Sequence, residues 1–331
     1  GAFGSLAMTR TGAEKRIRRW KPDLLHLHWV ARRTASVEQL GQMMSQRPFV
    51  WSLLDMWPFI GASHYDPPDF KFPKLWPTVE NWMLSRKARA WPDKGHVTVP
   101  GSWMAGIVRD SSLMGNWQIH TVPWPVDTEI FFPQSREVAR NRLGIPPDKK
   151  IVVFGAFGNE AFRKGFDLVT DSLQFLSTEG EKLTLLSFGG LRIVASTNNF
   201  DSLSYPRIKR RGLLRDIYAA GDVVVIPSRF DNLPQVALEA SLSGAPVVAF
   251  RDSGVGEMIR DGKDGFLVEP FSSADLAGAI QRVLRSADTL GSQAARHERH
   301  ERLARICGYP AVAQKLLNVY ESVVDDWRPV H

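Results

Sequence analysis

The 331 residues, 44% hydrophobic and 23% charged, exclude a disordered chain and a disulfide-stapled peptide, and the longest apolar runs stop far short of a bilayer span. The formal charge is +7, and all of it lies before Pro147, where 19 Lys and Arg face 12 Asp and Glu, against 23 of each beyond. The single cysteine, Cys307, excludes an internal disulfide and a Cys-rich metal cage and suits a reducing compartment, the cytoplasm.

Along the chain, residues 1–20 hold no apolar segment long enough for a signal peptide. Residues 23–30 (DLLHLHWV), 48–54 (PFVWSLL) and 96–99 (HVTV) read as short buried strands, with helices over 36–46 and 78–90 between them. Residues 66–77 carry four prolines and must be a loop, because proline removes ladder donors and breaks helices. Residues 119–133 carry three more and show neither period, which marks an interdomain connection ahead of a short helix over 135–143. From Lys150 strands and helices alternate: strands at 150–156, 183–189, 222–228, 246–250 and 265–268, and helices at 165–176, 213–220, 234–243, 256–260 and 273–285. Unbroken Val/Ile runs between helices predict a parallel sheet covered on both faces, with ligands beyond the carboxyl ends of its strands. Residues 310–327 form an amphipathic helix, and ten of the eleven tryptophans lie at or before Trp124, so the two halves differ in character as two domains do.

Two constellations could carry chemistry. Arg163 and Lys164 stand immediately ahead of a helix, where two cations and free backbone N–H groups can meet a diphosphate, although such a pair is by itself ordinary solvated surface. The neighbouring glycines, Gly155 and Gly158, match neither the P-loop nor the dinucleotide fingerprint. In the second constellation a strand ends at DVVVIPS, a turn carries Asp231, Pro234 stands where a first helical residue belongs, and Glu239 follows. Two carboxylates so spaced could address the two ends of an elongated ligand. Alternatively, Asp231 caps the helix and Glu239 forms a surface ion pair.

The tract DNLPQVALEASLSGAPVVAF, followed by SGVGEMI and DGFLV, resembles the E-x7-E region of the retaining glycosyltransferases of family 4, which have the GT-B fold. RKGFDL, DVVVIPS and PVDTEIF match in the same order, and PDLLHLHWV and DMWPFIGASHY resemble a polysaccharide-biosynthesis subgroup of colanic-acid type. The likeness runs over residues 21–285. It implies an α/β protein with two Rossmann-like domains facing a cleft: an N-terminal acceptor-side domain over 1–120, a linker over 121–147, a nucleotide-sugar domain over 148–309, and a helix over 310–331 packing back on the first. Members of the family begin with a further strand, a Gly-rich loop and another βα unit, so the N-terminal domain is expected to lack its first βα units.

The resemblance also implies the chemistry. A hexose-type sugar would move, with retention, from a nucleotide diphosphate sugar, UDP or GDP being the expected nucleotide, to a glycan or lipid-linked polysaccharide precursor. Glu239 would take the ribose hydroxyls, Arg163 and Lys164 the diphosphate, and Asp231 with the backbone of Asn232 and Leu233 the sugar. Gly158 and Gly212 would line the donor, the latter beside the base, and Asp55 and His64 would face the cleft. With cations and backbone amides on the leaving diphosphate, no metal is required. The family usually has His before the Asp of DMWPF, where this chain has Leu54, so the alternative is a homologue that binds nucleotide sugar or glycan with little turnover.

The basic N-terminal half suits a peripheral position on an anionic inner membrane face. It carries no nucleic-acid motif, so no nucleic-acid partner is expected. His26 and His28, two apart on one strand, read as packing rather than a metal site. The HERHER run at 297–302 reads as a solvated helix face, Trp76 and Trp82 as core before sugar platform, and Cys307 as a small buried apolar residue.

Overall fold

The computed structural model describes residues 4–31, 34–65, 74–157, 161–176, 183–190 and 200–327, so Gly158 and residues 66–73 lie outside the described residues. It divides into two compact units, Gly1–Pro123 with Ala313–His331, and Trp124–Val312.

The first unit runs α1 (Ala13–Trp20), β1 (Leu25–Leu27), α2 (Val37–Gln46), β2 (Phe49–Ser52), α3 (Trp76–Ala90), β3 (His96–Val99), α4 (Ser102–Arg109) and β4 (Gln118–Thr121). Its four strands are parallel in the order β1-β2-β3-β4. Helix α2 starts where Ser36 and Gln39 close a reciprocal capping box, and it buries Leu40, Met43 and Met44. Strand β4 falls in the stretch expected to be irregular. It lies at the sheet edge with a half-exposed QIHT sequence, and an edge strand needs no apolar run on both faces.

The second unit runs α5 (Arg136–Leu143), β5 (Lys150–Gly155), α6 (Phe166–Leu176), β6 (Leu183–Phe188), β7 (Phe200–Tyr205), α7 (Arg211–Ala220), β8 (Val223–Ile226), α8 (Gln235–Leu242), β9 (Val247–Phe250), β10 (Gly265–Val268), α9 (Ser273–Arg285), α10 (Ala287–Leu290) and α11 (Gln293–Cys307). Its parallel sheet has the order β10-β9-β8-β5-β6-β7. Alternation along each strand splits the core in two: Val153, Val224, Ile226, Val247 and Ala249 pack on one face with α7, α8 and α11, and Val152, Phe154, Val223, Val225 and Phe250 pack on the other with α6 and α9. β7, like β4, is a polar edge strand that apolar periodicity does not reveal. The final helix α12 (Tyr309–Asp326) contributes to the first unit from Ala313 onward, where Tyr320 Oη lies 2.6 Å from His26 Nδ1 and Asp326 accepts from Gln118 Nε2 at 3.0 Å.

Two expectations are corrected here. Residues 256–260 form no helix: the chain makes successive tight turns, Gly256 N–H donating to Ser253 O and Met258 N–H to Val255 O, because Gly254 and Gly256 are pressed against backbone that leaves no room for a Cβ. The HERHER run is solvated only at His297, Glu298 and Glu301. Arg299 is fully buried, donating to Gly244 O at 2.6 Å and Leu290 O at 3.1 Å, and Arg302 donates to Met258 O and to the buried Asp264. A charge on a helix face turned inward is tolerated when carboxylate and carbonyl acceptors await it. Cys307 is buried as expected, its Sγ–H on Leu303 O, and burial pushes its thiol up to about 11.

Candidate functional site

In the six-stranded sheet the chain leaves β5 toward β6 on one side and β8 toward β9 on the other, so β5 and β8 flank the point where strand order reverses. Loops at the carboxyl ends of such strands splay apart and leave a crevice. Here the loop entering α6 and the loop leaving β8 are tied together around it. Arg229 N–H donates to Arg163 O at 2.9 Å, Arg163 Nη1 to Phe230 O at 2.8 Å, and Arg229 holds Asp167 through two bonds of 2.7 and 2.6 Å. Gly165, at φ +76°, permits the approach, since a Cβ there would lie 2.1 Å from Pro227 O.

Three of the sequence-predicted residues meet in this crevice. Lys164 Nζ donates to Asp231 Oδ2, and Arg163 Nη1 lies 3.6 Å from the same oxygen. Asp231 therefore does not cap α8, which has no side-chain cap and starts one residue after Pro234. Two cations against one carboxylate leave a net positive charge at the start of the turn that leads into α8, an arrangement suited to a polyanion. Asn232 and Leu233 are buried, so their backbone is what they can present, and Gly254 packs on it with its Cβ position 1.6 Å from Asn232 O.

Glu239 lies one turn into α8. The fully buried Tyr218 of α7 donates to its Oε2 at 3.1 Å. Burial raises its pKa to about 7, opposed by the Tyr218 bond and the charge of Arg211. Arg211 is also paired with Asp127 at 3.5 Å. Gly212 is the second residue of α7 and has open space where a Cβ would stand, so no close approach requires glycine there.

Asp55 and His64 belong to the first unit and are bonded to each other: Asp55 Oδ2 lies 2.6 Å from His64 Nδ1 and accepts the Trp29 indole N–H at 2.9 Å, while Oδ1 takes Trp57 N–H at 3.1 Å. A carboxylate takes the Nδ1 proton, which leaves Nε2 to accept from the Ser5 hydroxyl 3.0 Å away. Leu54, 38% exposed, precedes the pair. His26 is half-buried between Tyr320 and Ser52, with the His28 ring 4.0 Å away. Among the described residues no three His, Cys, Asp or Glu side chains are placed to hold a metal. Trp76 packs against the core, but Trp82 is half-exposed with Arg86 4.8 Å over its ring.

Sequence reasoning missed Tyr218, Arg229, Ser5 and Trp29. Tyr218 carried a usable signal, since it stands beside the apolar Ile217, Ala219 and Ala220 at the end of α7 and a buried hydroxyl requires a partner. Arg229 and Ser5 carried none, because their partners are far away in sequence.

Residues 148–286 match the family model described as Glycosyl transferases group 1. That segment, within the second unit, carries the sequence pattern of the group 1 glycosyltransferases. Over 183 residues, 50% of this chain and 40% of the relative, the sequence is 36% identical to a D-inositol 3-phosphate glycosyltransferase of Acidothermus cellulolyticus. It is 29% identical over 231 residues, 62% of this chain and 48% of the relative, to mannosylfructose-phosphate synthase of Agrobacterium fabrum. The chain spans about half the length of these curated relatives, whose names are not those of the colanic-acid-type subgroup. Among solved structures, sucrose-phosphate synthase of Thermosynechococcus elongatus superposes with a TM-score of 0.71 at 20% identity, over 95% of this chain and 77% of that one. Anabaena HepE in complex with UDP gives 0.66 at 17%, over 93% and 81%. The group 1 segment thus sits in a GT-B fold of two parallel-sheet α/β domains.

Proposed function

We propose that the protein transfers a hexose-type sugar, with retention, from a nucleotide diphosphate sugar to a hydroxyl acceptor. The observation that carries this is the meeting of Arg163, Lys164 and Asp231 at the switch point between β5 and β8, with the half-buried Glu239 one turn into α8. Glu239 takes the ribose hydroxyls. Arg163 and Lys164 meet the diphosphate and stabilise the charge that grows on it as the glycosidic bond breaks, a demand that side-chain cations and backbone N–H groups can satisfy. Asp231 and the backbone at Asn232 and Leu233 orient the sugar, and UDP and GDP are the nucleotides expected. HepE of Anabaena, one of the structural neighbours, has been crystallised with UDP and with UDP-glucose, which supports a uridine donor.

Asp55 and His64 serve the acceptor side. A glycan or lipid-linked polysaccharide precursor on the cytoplasmic membrane face agrees with the basic first half. A phosphorylated polyol is the second reading, favoured by the names of the inositol-phosphate and mannosylfructose-phosphate relatives. Calorimetric titration with UDP-, GDP- and ADP-sugars tests the donor assignment. One nucleotide should bind, and Lys164→Ala should lower kcat more than donor affinity, because the cation acts most strongly on the transition state. Absence of binding by the whole panel would reject the reading, and binding without transfer to either acceptor class would leave only a low-turnover homologue.

A further inference from the structure

Residues 76, 80, 83, 87 and 91, at the steps of three and four that share one face of a helix, form a stripe along α3 and its C-cap. Met83 fills the core. The other four side chains all reach one loop, the turn between Asp55 and His64. Lys87 is fully buried, and its Nζ donates to the carbonyls of Trp57, Ile60 (2.7 Å) and Gly61 (2.6 Å) while lying 3.9 Å from the Trp57 ring centre. Three donors meet three acceptors, so the ammonium is fully satisfied. Burial pulls its pKa well below the usual lysine value, against the charges of Glu80 and Asp55. Glu80 answers with the opposite polarity, accepting Ala62 N–H at 2.9 Å, Ser63 N–H at 2.8 Å and the Ser63 hydroxyl. Trp91 Nε1 donates to Pro58 O and Trp76 Nε1 to Ser63 Oγ, both at 2.9 Å. A Cβ at Gly61 would lie 1.9 Å from Glu80 Oε2, so glycine is required there.

Packing alone does not call for this arrangement, since buried ions replaced by apolar side chains of similar volume often leave stability unchanged or raised. What the ions do that a methionine or leucine could not is fix the direction of each peptide group in the turn. The ends of the turn carry Asp55 and His64, so the path of the backbone between them sets how their side chains meet.

We propose that Lys87 and Glu80 are positioning residues for sugar transfer: from α3 they set the backbone of residues 57–63 so that Asp55 and His64 meet in the geometry the acceptor requires. This rests on the assignment of Asp55 and His64 to the transfer site.

The test compares Lys87→Met, which keeps the length and removes the donors, with Glu80→Gln, which keeps one acceptor. Three readouts are taken: the downfield proton resonance of His64 Nδ1–H, assigned with His64→Gln; nucleoside diphosphate affinity; and kcat against KM for transfer. In Lys87→Met the resonance should shift or vanish and kcat fall about 100-fold, the scale of a small misplacement of a reacting group, with nucleoside diphosphate affinity unchanged. Glu80→Gln should do the same more mildly, and it carries the test if Lys87→Met does not fold. A folded variant with the wild-type resonance and kcat would overturn the proposal. If Asp55→Ala transfers sugar normally, the functional assignment fails instead, and the resonance alone then decides whether the two ions set the pair.

Discussion

At the scale of single residues, Glu239 carries a conflict between stability and binding. Its carboxyl is neutral below about pH 7 in the folded protein because burial penalises the charge. The pKa lies above its unfolded value of 4.5, so the folded state loses stability as pH rises through that interval, up to roughly 3 kcal/mol at pH 8. Glu239→Gln should therefore raise the unfolding temperature at pH 8. A ribose, however, donates two hydroxyl protons and is held best by a carboxylate. Nucleotide affinity should then rise about ten-fold between pH 6 and pH 8 in the wild type, and Glu239→Gln should bind more weakly at pH 8 with a flat profile. Calorimetry at the two pH values checks both slopes. A wild-type profile already flat would remove Glu239 from the ribose.

At the scale of elements, α11 is anchored by charge. Asp264, fully buried, accepts from Arg260 at 2.8 and 2.9 Å and from Arg302 at 2.8 Å, and lies 3.6 Å from the buried Arg299. Burial pushes its carboxyl up, but the Arg260 bond and the other arginine charges pull it further down, so the net shift is below 3.8. The stabilisation is therefore held above the carboxylate range and lost as pH falls through it. Asp264→Ala strands Arg299 without its carboxylate and should cost about 3–5 kcal/mol at pH 7, the usual penalty for breaking a buried pair. Denaturant unfolding measures this, and Glu301→Gln, an exposed change on α11, is the control expected to show little effect. Equal stability in the two variants would mean that water reaches the cluster.

At the scale of the whole molecule, the two ends of the chain meet in the first unit through histidines. His26 faces Tyr320, Ser52 and His28; its pKa is lowered to about 4 by burial and by the His28 charge. His96 and His120 stack 5.4 Å apart beside Asp326, and burial lowers both despite that carboxylate. Depressed imidazoles are neutral in the folded state, so their contribution is complete above pH 6.5 and declines as pH falls toward 4. His26 is partly solvated, and screening reduces its share to about 1 kcal/mol. Hydrogen exchange across α12 should be faster at pH 5 than at pH 7.5, and His26→Gln should remove part of that dependence. Exchange that does not change with pH would show that apolar contacts alone hold the helix.

The apolar runs in the second half determined the sheet of the second unit, because a strand covered on both faces must be hydrophobic throughout, and the order of motifs from RKGFDL to DGFLV located Arg163, Lys164, Asp231 and Glu239 on its loops and helices. The polar edge strands β4 and β7 left no such mark, since only one side of each is covered. Tertiary structure decided what the charges do. Asp231 became the partner of Lys164 rather than a helix cap, Arg299 turned inward to Asp264, and Lys87 turned inward to three carbonyls. Sequence spacing fixes which face of a helix a side chain shares, but whether that face meets water or an acceptor depends on loops tens of residues away. For a charged group, that meeting determines whether burial is ruinous or stabilising.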